Sequence, residues 1–149
     1  MQLLLLLYIT FWQKNDQMKK ITYNFKDRTA VITGGAQGFG LDIAKRFLDS
    51  GANVIIWDMD AEMTDKAVKD LNNPNLSSNK IDVSNFKEVQ ECTNEILKKT
   101  NIDILINNAG ITGPTATLWE YDIEMWKKVV DINLMGTFNC CRAIVPNLS

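Results

Sequence analysis

A glycine-rich stretch, Thr33-Gly34-Gly35-Ala36-Gln37-Gly38-Phe39-Gly40, stands directly between two segments of different periodicity. Before it, Thr29-Ala-Val-Ile-Thr33 is a short, β-branched apolar run, and after it Leu41, Ala44, Phe47 and Leu48 recur at helical spacing. A strand that turns at once into a helix needs residues without a Cβ. Gly34 lets the chain leave the strand sharply, and Gly40 lets the helix pack closely on a sheet. Gly38 lets an anion reach the free N–H groups at the start of the helix, where the helix dipole also favours negative charge. The plain alternative is a tight turn with no ligand.

The same alternation continues along the chain. Gly51 suits the left-handed residue that closes the first helix. Val54 to Trp57 is a second buried strand ending in Asp58. Met63, Ala67 and Leu71 space out a second helix, which Asn72-Asn73-Pro74 ends. Ser78 to Val83 predicts a third strand, and Ser84 an N-cap for a helix carrying Phe86, Val89, Ile96 and Leu97. Ile102 to Ile106 predicts a fourth strand, Gly110 to Thr117 a loop, and Trp119 to Val145 one long helix stopped by Pro146. Strands alternating with helices imply a parallel sheet with right-handed crossovers. The expected fold is α/β, a doubly wound parallel sheet of Rossmann type in the order 3-2-1-4, truncated after the fourth strand and the long helix that follows.

The spacing Thr-Gly-x-x-x-Gly-x-Gly resembles the short-chain dehydrogenase/reductase family rather than the more common GxGxxG turn. Three further motifs fit that family and arrive in order between Lys26 and Pro146. Asn107-Asn108-Ala109-Gly110 follows the fourth strand as the family's NNAG segment does. Asp82-Val83 looks like its adenine-contacting pair, and Asp131-Ile-Asn133-Leu-Met-Gly136-Thr-Phe138 resembles its helix with a catalytic-site asparagine. The resemblance implies a nicotinamide cofactor held by Gly34, Gln37, Gly38, Phe39, Gly40, Asp58, Asp82, Val83, Asn108, Ala109 and Gly110. Phe39 departs from the usual Ile or Leu, a change expected to touch packing more than chemistry. The segment from Ile111 to Arg142 looks like members that are 3-oxoacyl-carrier-protein reductases or sugar-acid dehydrogenases. The family also implies a homo-oligomer, dimer or tetramer. A methyltransferase would have no use for the NNAG segment.

Asp58 ends the second strand 18 positions past Gly40, near the roughly 20 expected for the acid on the adenine ribose. A carboxylate there accepts hydrogen bonds from the ribose hydroxyls and repels a 2′-phosphate. Gln37 stands where NADP-preferring relatives usually carry Arg or Lys, so both positions favour NAD over NADP. Asp60 reads as a solvated acid at the strand end.

The family's chemistry uses a tyrosine with a lysine four positions later, a serine and an asparagine. A tyrosine of pKa about 10 is a poor base at neutral pH without a cation beside it. Tyr8, Tyr23 and Tyr121 are followed four positions later by Trp12, Asp27 and Met125, so the pair is absent, and the serine is expected on a fifth strand just after Ser149. Only Asn133 is matched, as the residue that holds a water in the proton path. The expectation is an alcohol/carbonyl oxidoreductase of which these 149 residues are the cofactor-binding half, inactive alone. The alternative is a non-catalytic NAD-binding or interaction protein.

Composition narrows the field. The chain has no histidine, which removes Ser-His-Asp and Cys-His nucleophiles and His-ligated metals. No metal site is expected. A net charge of −2 offers no excess cation for a nucleic acid. Cys92, Cys140 and Cys141 follow no CxxC spacing and read as reduced, packed thiols of a cytoplasmic protein. Residues 1–17 form an apolar extension too short for a membrane span, which needs roughly 20 residues, and residues 18–149 form the partial NAD-binding domain.

Overall fold

The computed structural model describes residues 22–148. The extension 1–17 and the domain start at Met18 lie outside the described residues. Four parallel strands lie side by side in the order β3-β2-β1-β4, the order expected: β1 (Thr29–Thr33), β2 (Asn53–Asp58), β3 (Leu76–Lys80) and β4 (Ile104–Ile106). Helices follow β1, β2 and β3: α1 (Gly38–Asp49), α2 (Ala61–Leu71) and α3 (Phe86–Leu97).

Alternation along the two central strands builds two cores. Val31, Ile55 and Trp57 point to one face and join Val89, Ile96, Cys140, Ala143 and Ile144. Ile32, Val54 and Ile56 point to the other, against Ala44, Leu48 and Ala52. Both faces are covered, which is why these strands read as unbroken apolar runs. At the opposite end of the sheet from the glycine turn, the Asp103 carboxylate accepts from the Thr29 N–H and pairs with Arg28. The Thr29 hydrogen bond first, then that guanidinium, holds the Asp103 carboxyl below its ordinary value.

Several boundaries differ from the sequence reading. The third strand starts two residues early and stops at Lys80, because its register is set by pairing Leu76 with Val54. Ile81 and Val83 are still buried, but from the turn beyond the strand. Ser84 is not the cap of α3; Asn85 is, accepting from the N–H groups of Lys87 and Glu88 while its own amide donates to Glu88. Asp60 is not an idle acid, since its carboxylate accepts from the Met63 N–H and caps α2. Ile102 falls outside β4 and forms an isolated parallel bridge with Leu148.

The largest difference is the long helix. Its start at Trp119 is a single 3₁₀ turn, Leu118–Glu120, and the helix proper begins after Asp122, whose carboxylate caps the Met125 N–H. It runs as α4 (Ile123–Val130), widens into a π segment (Asp131–Met135), and resumes as α5 (Gly136–Ile144). Gly136 permits close approach to the sheet-side turn: a Cβ there would lie 2.6 Å from Val83 Cγ2.

Candidate functional site

The glycine turn follows β1, Asp58 ends β2, Asp82-Val83 follow β3 and Asn107–Gly110 follow β4, so these segments share the carboxyl edge of the sheet. The order β3-β2-β1-β4 places the β1 turn where the chain's connections diverge, towards β2 on one side and β4 on the other. That divergence opens the crevice in which ligands of open α/β sheets bind.

The glycines of the turn differ in what they permit. Gly34 has φ +62°, and a Cβ on it would meet the Ala109 Cα at 2.8 Å. A Cβ on Gly40 would sit 2.2 Å from the Gly34 carbonyl oxygen and 2.5 Å from Asn108 Nδ2. These two are dictated by contact inside the protein. Gly38, φ +55°, is the opposite case, with no atom within 4 Å of where a Cβ would stand. Its side opens on free space at the start of α1.

The start of α1 is also bare. Gln37 is its N-cap residue, yet no side chain caps it, and its first turn carries no acid. The helices α2, α3 and α4 each have an Asp or Asn cap and a glutamate in the first turn. Unsatisfied N–H groups and an uncompensated dipole at one helix start suit an anion. Together with the open side of Gly38, this set fits the pyrophosphate of a dinucleotide.

The turn is held by Thr33 on β1, Asp58 on β2 and Asn108 just beyond β4. Thr33 Oγ1 accepts from the N–H groups of Asn108 and Ala109 and reaches the Ile106 carbonyl at 3.4 Å. Asn108 Nδ2 donates to the carbonyls of Thr33 and Gly34 at 3.0 and 2.9 Å. Asp58 accepts from the Ala36 N–H at 3.1 Å and from the Asp60 N–H at 3.1 Å. Asn108 therefore commits its amide to the turn, and its contribution is to position it. Thr33 was missed as a working residue, although it stood first in the motif.

The remaining residues fall into two groups. Phe39 is 85% exposed, so it does not touch packing as expected; it is the second residue of α1. Gly110 stands on the exposed loop after β4, and a Cβ there would lie 3.2 Å from Asn133 Oδ1. Asp82 accepts from both the N–H and the hydroxyl of Ser84. The Val83 side chain is buried in the core, so only its main chain is left to meet a ligand.

Asn133 sits at the centre of the π segment, the irregularity that often marks a functional position in a helix. Its Oδ1 accepts from the Ile111 N–H at 2.9 Å and its Nδ2 donates to the Ile111 carbonyl at 3.0 Å. Its own carbonyl accepts from the Thr137 hydroxyl. The side chain thus clasps the loop after β4, a role the sequence reading did not anticipate when it assigned Asn133 to holding a water.

Burial pushes the Cys140 thiol up to about 12 and the Cys92 thiol up to about 11, so these two stay protonated at neutral pH. Among the described residues no cluster of His, Cys, Asp and Glu could hold a metal ion, and no helix is long and apolar enough to cross a membrane.

Comparison with known proteins places this geometry. Residues 28–149 match the family model described as short chain dehydrogenase. The 2-dehydro-3-deoxy-L-rhamnonate dehydrogenase (NAD(+)) of Sphingomonas sp. (strain SKA58) is 33% identical over 123 residues, covering 82% of this chain and 49% of the relative. The 3-oxoacyl-(acyl-carrier-protein) reductase of Chlamydia trachomatis is 37% identical over 123 residues, covering 80% of this chain and 49% of its own. A solved glucose/ribitol dehydrogenase-type structure from Brucella melitensis superposes with TM-score 0.81 at 30% identity, over 87% of this chain and 55% of that one. The chain spans about half the length of the curated relatives it matches.

Proposed function

The chain belongs to the short-chain dehydrogenase family, and from that premise we propose that it is the NAD-binding half of an oxidoreductase acting on an alcohol or carbonyl substrate. The observation that carries the reading is the bare start of α1 beside the open side of Gly38, with Asp58 at the end of the neighbouring strand. The bound nicotinamide would accept or deliver the hydride. The residues of this chain bind and orient it. The first N–H groups of α1 would receive the pyrophosphate, and Asp58 would accept from the adenine ribose hydroxyls. Asp82 would meet the adenine, and Asn108, Ala109 and Gly110 would form the wall on the β4 side.

Asp58 also supplies the preference for NAD over NADP, since Gln37 offers no cation to a 2′-phosphate. The NAD(+) in the name of the Sphingomonas relative supports this choice. Fluorescence titration with both reduced cofactors tests it. NADH is expected to bind more tightly, and Asp58→Ala with Gln37→Arg to narrow or reverse the difference. Equal affinities in the parent chain would overturn the assignment.

Turnover needs more than these residues. The chain holds no tyrosine with a lysine four positions on, and general acid–base help is worth about 10²–10⁴-fold. The chain alone is therefore expected to transfer no hydride, and fusion to the second half of a relative bearing that pair to restore it. Failure of the fusion, with cofactor binding intact, would favour the non-catalytic binding protein. A cytoplasmic homo-oligomer completes the proposal.

A further inference from the structure

The buried amide of Asn139 has no part in the reading above. It lies on α5, three residues after Gly136, and is only 6% exposed. Nδ2 donates to two consecutive carbonyls, Val83 at 3.0 Å and Ser84 at 3.1 Å. Both carbonyls lie beyond the end of β3, where the sheet ladder no longer partners them. Buried carbonyls without a donor would be costly.

The connection continues outward. The backbone that Asn139 fixes belongs to Ser84, whose N–H and hydroxyl both donate to Asp82 Oδ1, at 2.9 and 2.7 Å. Asp82 is tied a second time through its own N–H, which donates to Glu88 Oε2. On the other side, Gly136 brings α5 close enough to Val83 for the amide to reach. One polar side chain in the core therefore fixes the backbone from which Ser84 holds the Asp82 carboxylate.

We infer that Asn139 is a positioning residue for the adenine end of the cofactor groove, acting through the Val83–Ser84 backbone on Asp82. The inference rests on the proposed binding of NAD. It predicts that loss of the Asn139 donors weakens recognition of the adenosine half while sparing the nicotinamide half. A general loss of packing would weaken both.

The test titrates this chain with ADP-ribose and with nicotinamide mononucleotide, separately, following tryptophan fluorescence. In the parent both should bind; no binding of either, or of NADH, would refute the cofactor reading itself. Asn139→Asp keeps the size but replaces two donors with acceptors facing two carbonyls. It should weaken ADP-ribose by roughly tenfold or more, the scale of one lost buried hydrogen bond. Nicotinamide mononucleotide affinity should change by less than about twofold. Asn139→Ala, which removes the two donors without setting an acceptor against the carbonyls of Val83 and Ser84, should move in the same direction by a smaller factor, and it serves if Asn139→Asp does not fold. Parent-like ADP-ribose affinity in Asn139→Asp, or in Asn139→Ala where that variant stands in for it, would overturn the inference. Equal weakening of both ligands would do the same.

Discussion

The turn from β1 into α1 and the helical stretch from α4 to α5 face opposite problems. In the turn, the protein supplies its own partners: Thr33, Asn108 and Asp58 satisfy the backbone, and two glycines are dictated by contact. Along the helices, Ile123, Trp126, Leu134 and Phe138 stay exposed, and Trp119 just before them is 84% exposed. An apolar surface of that kind marks a place of contact. The comparison separates a turn whose shape is held within the fold, with only the start of α1 left open, from a face whose apolar side chains are uncovered among the described residues.

The sharpest way to break that contrast is through the glycines. Gly40→Ala would drive a Cβ into the Gly34 carbonyl and the Asn108 amide, neither of which can yield without moving the turn. Overpacking of this sort costs about 1–3 kcal/mol, and cofactor binding should be lost. Gly38→Ala meets no atom, so its stability cost is confined to its left-handed backbone, roughly 1–2 kcal/mol. Binding should still fall sharply, because the new methyl group occupies the space the phosphate would use. Thermal unfolding and NADH titration on both variants decide the matter. If Gly38→Ala binds as the parent does, the open side of the turn is not the phosphate site.

The sequence made the first region readable and the second only partly so, for a physical reason. Strand order, the glycine turn and the position of Asp58 follow from short-range rules, because a strand that turns directly into a helix restricts each residue locally. The roles of Thr33, Asn108 and Asn139 depend on hydrogen bonds across 55 to 76 positions of chain, and residue type alone does not show where an amide is directed. The helix from Trp119 was legible as helical, but its late start coincides with the Asp122 cap, and its π segment carries the clasp of Asn133 on Ile111. Periodicity carries neither. The third strand was misplaced because Leu76-Ser-Ser-Asn-Lys80 has little apolar pattern, and its pairing with β2 determines its place.

Asn133 tests the boundary between the two regions. Its amide joins the π segment to the loop after β4, so Asn133→Ala removes two hydrogen bonds at once. A net loss of about 1–2 kcal/mol is expected, moderated because the residue is exposed and water can replace part of the pairing. The loop from Gly110 to Thr117 should loosen, with faster amide exchange at Ile111. Asn133→Asp keeps one acceptor for the Ile111 N–H and should restore part of the protection there. Unchanged exchange in Asn133→Ala would mean that the loop is held by other contacts and that the π segment has no positioning role.

The smallest expected effect is the most direct test of the exposed face. Ile123 and Leu134 are 68% and 64% exposed, and burial stabilises by roughly 25 cal/mol per Å² only where area is actually removed from water. Ile123→Gln with Leu134→Gln should therefore change monomer stability by no more than about 0.5 kcal/mol. Glutamine is a good helix former and adds no charge at the start of α4, so neither propensity nor the helix dipole disturbs the comparison. Self-association is the quantity that should respond. Sedimentation of the parent should show a concentration-dependent shift to larger species, and the double variant should shift less. A drop in unfolding midpoint well beyond that limit would show that these side chains are packed within the single chain. The helical face would then be as self-contained as the turn, and the contrast between the two regions would fail.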